Sequence, residues 1–231
     1  MNIEVDTCSN IVVYPIKVKR RGCINYNYIV FNQDSKEAII VDPAWEEKTL
    51  NHAIENLQVT VVGVLLTHYH SDHVNLANTF AKKYNIPVFI SQIEQEFYGF
   101  TCENMRQAID GQSFSIESIT VYPILTAGHT KGSICYLIGE NLFTGDTIFI
   151  EGCGMMFGEG SDAKDMYNSI LYLKQHLPKT VIIYPGHSYG EECGKPFSYL
   201  LKYNIYFHFP DYDQFAKFRL RENQSGWFNF K

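Results

Sequence analysis

The sequence predicts a mixed α/β protein in which two β-sheets pack on each other and are covered by helices. Three observations carry that expectation. Nine short runs rich in apolar and β-branched residues read as strands, helix-like stretches stand between some of them, and no repeat, low-complexity segment or linker divides the 231 residues. The chain is therefore read as one domain, 1–231, ending in an aromatic-rich segment, 203–231.

In chain order the strand-like runs are IVVYPI (11–16), YNYIVF (26–31), AIIVD (38–42), VVGVLL (61–66), PVFI (87–90), ITVYPILT (119–126), ICYLI (134–138), NLFTGD (141–146) and TVIIYPGH (180–187). Helices are expected over 45–57, 73–84, about 162–176, opened by SDAKDM, and about 195–203. Strands flanked by amphipathic helices need the helices' apolar stripes to bury their outer faces, which gives the layered arrangement.

Lys and Arg number 19 against 25 Asp and Glu, a net charge of −6, so the molecule as a whole does not advertise nucleic-acid binding. The opening MNIEVDTCSN lacks the charged start and apolar block of a signal peptide, and no apolar run is long enough for a bilayer. A cytoplasmic protein with neither a nucleic-acid nor a membrane partner is expected. Six scattered cysteines (8, 23, 102, 135, 153, 193) without a C-x-x-C pair read as reduced thiols, and none is taken as a metal ligand.

The chemistry concentrates in LLTHYHSDHVN, residues 65–75, which places His68, His70, Asp72 and His73 directly after an aliphatic run. Other strand-like runs lead into His129, Asp146 and His187. Strand ends meet on one rim of a sheet sandwich, and in an extended segment residues i, i+2 and i+4 face the same way, so His68, His70 and Asp72 can share a cavity. Five histidines and two aspartates exceed what one tetrahedral zinc with an open water position uses, which points to two metals sharing a bridging carboxylate. Nitrogen and oxygen ligation favours zinc, two ions per chain, with iron or manganese as substitutes. His52, His176 and His208 have no matching partners and read as ordinary histidines.

THYHSDH at 67–73, AGHT at 127–130, TGD at 144–146 and PGH at 185–187 resemble the metallo-β-lactamase superfamily, over roughly residues 12 to 200. EGCGMMFGEGSDAKDMYNSI at 151–170 is similar to the segment after the bridging aspartate in glyoxalase II-type thioesterases. Within that group the pattern most resembles the zinc-dependent hydrolases of trans-acyltransferase polyketide gene clusters of the bacillaene type. The resemblance implies an αββα four-layer sandwich with His68, His70 and His129 on one metal, Asp72, His73 and His187 on the other, and Asp146 between them. It also implies a metal-dependent hydrolase of acyl thioesters, linked to pantetheine or to an acyl carrier protein. Met155 and Phe157 depart from the pattern, standing where glutathione-using relatives place a basic residue and a tyrosine. Lactoylglutathione is accordingly not the expected substrate.

In the mechanism this suggests, metal binding lowers the pKa of water to about 7 and the resulting hydroxide attacks the thioester carbonyl. Asp72 is the catalytic candidate, orienting the nucleophile and relaying its proton. Thr67, Thr126 and Thr130 stand beside ligands as candidates to hydrogen-bond them. Alternatives are an ordinary glyoxalase II, a one-iron persulfide dioxygenase on the same scaffold, and a non-catalytic accessory protein that binds a carrier protein. A β-lactamase would not use a bridging aspartate at Asp146, and an RNA phosphodiesterase lacks a recognisable RNA-gripping insertion here. KVKRRG at 17–22 reads as a solvated hairpin or as a dock for an anionic partner, with the phosphate of a carrier arm near Lys17, Lys19, Arg20 or Arg21. From Tyr203 to Phe230 stand ten of the 34 aromatic residues, which either cover a sheet edge or helix or line an apolar channel.

Overall fold

Two-residue alternation within the strands sets the layering. In a computed structural model, which describes residues 3, 5, 10–20 and 22–222, the first sheet runs in the order β1 (Ile11–Arg20), β2 (Cys23–Asn32), β3 (Glu37–Val41), β4 (Thr60–Leu65), β5 (Val88–Ser91), β6 (Met105–Ala108). Arg21, Cys8 and the tail residues Trp227, Phe228 and Phe230 lie outside the described residues. The second sheet is built from β7 (Phe114–Ile116), β8 (Ile119–Leu125), β9 (Ile134–Ile138), β10 (Asn141–Gly145), β13 (Ile182–Pro185) and β14 (Lys195–Pro196), in the order β14-β13-β10-β9-β8-β7. A small hairpin, β11 (Ile148–Phe149) with β12 (Gly152–Cys153), stands beside it.

Ile29 and Phe31 of β2 and Ala38 and Ile40 of β3 point to one face, where they meet Leu50, Ala53 and Ile54 of α1 (Glu47–Leu57) and Ala77, Phe80 and Ala81 of α3 (Ala77–Tyr84). The intervening Tyr28, Val30, Ile39 and Val41 point the other way and pack against Ile134, Tyr136, Ile138 and Phe143 of the second sheet. Cys135, Leu137, Leu142 and Ile183 face outward onto Met166, Ile170 and Leu173 of α5 (Ala163–His176) and Phe197 and Leu200 of α6 (Phe197–Tyr203). The layers are therefore helix, sheet, sheet, helix, the αββα order expected from the sequence. Asp162 caps α5 by accepting from the backbone N–H groups of Lys164 and Asp165 at 2.7 and 2.8 Å. The helix stops at Leu177, whose extended ψ is what a residue before Pro178 adopts.

The sequence reading missed α4 (Gln92–Tyr98), α7 (Tyr212–Arg219), the hairpin β11–β12 and the edge strands β6, β7 and β14, and it ran 73–84 together where the chain forms α2 (Ser71–Val74) and then α3. Residues 195–203 split between β14 and α6. After α6 the aromatic segment turns through a 3₁₀ turn at Ile205–Phe207 into α7, burying Phe207 and Phe215 against the outer helix layer. No helix among the described residues is long and apolar enough to cross a membrane.

Topology then fixes where the polar strand ends go. β9 is antiparallel to both β8 and β10, and β13 is parallel to β10, so β8, β10 and β13 all run toward the same rim. Asp42 follows β3, Thr67 and His68 follow β4, and His129, Asp146 and His187 follow β8, β10 and β13.

Candidate metal centre

All seven expected donors meet at this rim. The donor atoms of His68, His70 and His129 lie within 4.8 Å of one another, and so do those of His73, Asp146 and His187. The route for Asp72 differs from the sequence expectation: strand β4 ends at Leu65, and Asp72 and His73 stand in the first turn of α2. Strand alternation therefore does not aim Asp72; the helical turn begun at His70 does.

The distances resolve two groups joined by one carboxylate. His70 Nδ1 and His129 Nε2 are 2.9 Å apart. Asp72 Oδ2 is 3.5 Å from His187 Nε2 and 3.7 Å from His73 Nε2. Asp146 reaches both groups, with Oδ2 at 3.5 Å from His129 Nε2 and 3.3 Å from His187 Nε2, and Oδ1 at 3.5 Å from His73 Nε2. Two nitrogens on a tetrahedral zinc at 2.0–2.1 Å stand roughly 3.3 Å apart, close to these spacings. Among the described residues, His68 Nε2 and Asp146 Oδ1 are the buried side-chain atoms without a hydrogen-bond partner. Buried polar atoms left unpaired are costly, so an orphaned imidazole nitrogen among the three histidines and an orphaned carboxylate oxygen beside His73 fit bound cations.

Outer partners orient four of the five rings. His73 Nδ1 lies 3.0 Å from Asp42 Oδ2, His187 Nδ1 2.9 Å from the Ile24 carbonyl, and His129 Nδ1 2.6 Å from the Met155 carbonyl. Thr67 Oγ1 donates to Asp42 Oδ2 at 2.6 Å, which leaves it to accept from His68 Nδ1 at 3.1 Å. Each contact places a ring proton on Nδ1 and turns Nε2 inward. Gly186 is required at its position, because a Cβ there would stand 2.5 Å from Asp146 Oδ1 and 2.6 Å from His73 Cε1.

Electrostatics separate the groups. Burial drives His68 well below the ordinary imidazole range, lowers His129, and takes His70 down to about 4, so this group consists of neutral donors. Burial also opposes charge on His73 and His187, but Asp72 and Asp146 outweigh it beside His73, and Asp146 does so beside His187, raising both. Burial alone would raise Asp146; His187 and His73 instead hold it well below the carboxylate range.

Sequence reasoning did not single out Asp42, Asn25, Glu94 or Arg219. Asn25 Nδ2 donates to the Asp72 backbone carbonyl at 2.9 Å and to Asp72 Oδ2 at 3.2 Å. Asp42, at the end of a strand-like run as the ligands are, carried the one available signal. Of the three threonines, Thr67 contacts an expected donor, His68, whereas Thr126 bonds Thr147 and Thr130 bonds Glu94 and Ser133. Cys23 comes closer than expected, its Sγ grouping with Asp72 and His187 donors within 4.8 Å and donating to Asn25 Oδ1. His52 and His208 are exposed, and His176 bonds the Tyr172 carbonyl, all away from the centre.

Above the centre opens a cavity of about 710 Å³. Met155 and Phe157 line it together with Phe149, Ile205, Tyr206 and Phe218. Its cations among the described residues are Arg219 and Arg221, not Lys17, Lys19 or Arg20, although Cys23 at the foot of that hairpin does border it. Lys17 instead pairs with Glu192 at 3.1 Å.

The profile of the metallo-beta-lactamase superfamily matches residues 21–187. The chain is 44 % identical over 219 residues to the "probable polyketide biosynthesis zinc-dependent hydrolase" BaeB of Bacillus velezensis, covering 95 % of this chain and 97 % of that one. It is 35 % identical over 168 residues to the hydroxyacylglutathione hydrolase of Pseudoalteromonas translucida, covering 72 % of this chain and 62 % of that one. In fold it is similar to the crystal structure of ETHE1 from Myxococcus xanthus, with a TM-score of 0.79 at 23 % identity over 91 % of this chain and 92 % of that one.

Proposed function

Because the chain belongs to the metallo-beta-lactamase superfamily and is a zinc-dependent hydrolase, we propose that it cleaves acyl thioesters of a pantetheine arm or acyl carrier protein in polyketide biosynthesis. The observation that supports this best is the convergence of seven donors in two groups sharing Asp146, with His68 Nε2 and Asp146 Oδ1 left unpaired. In this reading His68, His70 and His129 hold one zinc, Asp72, His73 and His187 the other, and Asp146 lies between them. Zinc bound there supplies Lewis acidity, bringing the pKa of water to about 7 and polarising a carbonyl.

Asp72 takes the proton of the attacking water. Its side chain is 28 % exposed against 9 % or less for His73, His187 and Asp146, so it is the carboxylate that water in the cavity reaches. Asn25 keeps that carboxylate from turning away, and His73, His187 and the Asn25 amide, against the opposing effect of burial, hold it below the ordinary range. It therefore accepts a proton as a carboxylate. The departing thiolate needs no strong general acid. The acyl group lies along Phe149, Met155 and Phe218. At the positions where the resemblance places glutathione's basic and tyrosine partners the cavity presents Met155 and Phe157, so a glutathione carboxylate lacks those two contacts. The proposed setting is the cytoplasm, whose reducing conditions suit the free thiols of the described cysteines.

Metal analysis and a substrate panel test the proposal together. Two zinc equivalents per chain are expected, with kcat/KM on acyl-pantetheine or carrier thioesters above that on lactoylglutathione. A tenfold or greater preference for lactoylglutathione would replace this reading with a glyoxalase II. One iron per chain, with oxygen consumed on a persulfide, would make the protein a dioxygenase.

A further inference from the structure

Beside the seven donors, Glu94 in α4 has a fully buried side chain, and a carboxylate in the interior needs partners. It has three. The Tyr69 backbone N–H donates to Oε1 at 2.9 Å, while Thr130 Oγ1 and the Gly132 N–H donate to Oε2 at 2.9 and 2.8 Å. Tyr69 stands between His68 and His70 in the chain, and Thr130 and Gly132 follow His129. One carboxylate thus ties the loop after β4 of the first sheet to the loop after β8 of the second, and those two loops carry the three-histidine group.

Independent contacts show that α4 is seated for this. A Cβ on Gly132 would fall 2.2 Å from the Glu94 backbone nitrogen, so the loop lies directly on the start of the helix and admits only glycine. At the other end of α4, the Tyr98 ring stacks on Tyr69 with centroids 3.8 Å apart and planes at 14°. The Tyr98 hydroxyl accepts from the Lys131 N–H at 3.1 Å and donates to the Glu159 carbonyl at 2.6 Å. Among the described residues nothing comparable joins α4 to the other group, which is contacted by Asp42, Asn25 and the Ile24 carbonyl.

We propose that Glu94 is a positioning residue for the His68–His70–His129 group, its carboxylate setting the separation of the two loops and so the approach of His70 Nδ1 to His129 Nε2. The inference rests on the reading that these three histidines hold a metal. All three partners of Glu94 are donors, so an isosteric amide turns at least one N–H toward another donor; Glu94→Gln keeps the volume and loses the clamp.

The test titrates metal-free wild type and Glu94→Gln with Co²⁺, following the visible absorption of the bound ion, and measures zinc affinity by chelator competition and the kcat and KM of the zinc-loaded protein. For Glu94→Gln, one of the two metal equivalents should weaken by about 10- to 100-fold with an altered cobalt spectrum, the magnitude typical of lost outer partners. The other should stay within about threefold, and kcat should fall while KM holds. Thr130→Val, which removes a single bond, should give the same signature at smaller size and serves if Glu94→Gln does not fold. A folded Glu94→Gln with a wild-type spectrum and both affinities unchanged overturns the inference alone, as does equal weakening of both metals. Wild type that takes up no cobalt overturns the reading of the site and this inference with it.

Discussion

Two aspartates share one cavity wall yet sit in different surroundings. Asp146 is buried and reaches three histidines of both groups, whereas Asp72 is more exposed and reaches two histidines of one group. Replacing Asp146 by Asn should remove the shared charge and with it one metal equivalent. Asp72→Asn should weaken, without abolishing, the metal beside His73 and His187 and should lower turnover by about two orders of magnitude or more at saturating zinc, since proton transfer by a positioned group contributes about 10²- to 10⁴-fold. Metal content read beside kcat separates the two, and near wild-type turnover in either variant contradicts the roles assigned. The donors were legible because each follows an apolar run and four of them crowd into six positions. Asp42 and Asn25 were not: one closes a strand and the other lies within one, and their contacts with His73 and Asp72 exist only across the folded chain.

At the scale of elements, the strands missed in the two main sheets are all at sheet edges, and the missed hairpin of β11 and β12 is built from strands of only two residues each. β6, β7 and β14 each have one neighbour and contain half-exposed residues, as in the MRQA of β6, so they lack the apolar run that marks a buried strand. α4 and α7, of seven and eight residues, are too short to stand on propensity and form because tertiary contacts hold them. α7 shows what such an element contributes. Buried Arg219 donates through Nε and Nη2 to the Gly154 carbonyl at 3.1 and 2.7 Å, and the next carbonyl, of Met155, receives His129 Nδ1. Arg219→Leu should leave that buried acceptor without these donors, costing about 1–3 kcal/mol in denaturant unfolding, and should lower activity through His129. Unchanged stability would show that the guanidinium does not support the loop.

For the whole molecule, function depends on how the sandwich and its C-terminal elements close one cavity. The profile match ends at His187, yet Ile205, Tyr206 and Phe218 beyond it line the cavity with Phe149 and Met155. An apolar wall of this kind predicts that kcat/KM rises with acyl length by about fourfold per buried methylene, from about 0.8 kcal/mol each, and that Phe218→Ala flattens the rise. A flat profile in the wild type would place the acyl group elsewhere. The sequence by itself determined the layer order and named the seven side chains that meet at the rim, because apolar alternation and the polar residues that close each apolar run are written locally. Only the tertiary structure decided that Asp72 arrives on a helical turn, that Asp42 and Asn25 contact His73 and Asp72 while Glu94 joins the loops after β4 and β8, and that the cavity's described cations are Arg219 and Arg221. Those assignments rest on contacts between segments far apart in the chain, and such contacts come into being when the two sheets close on each other.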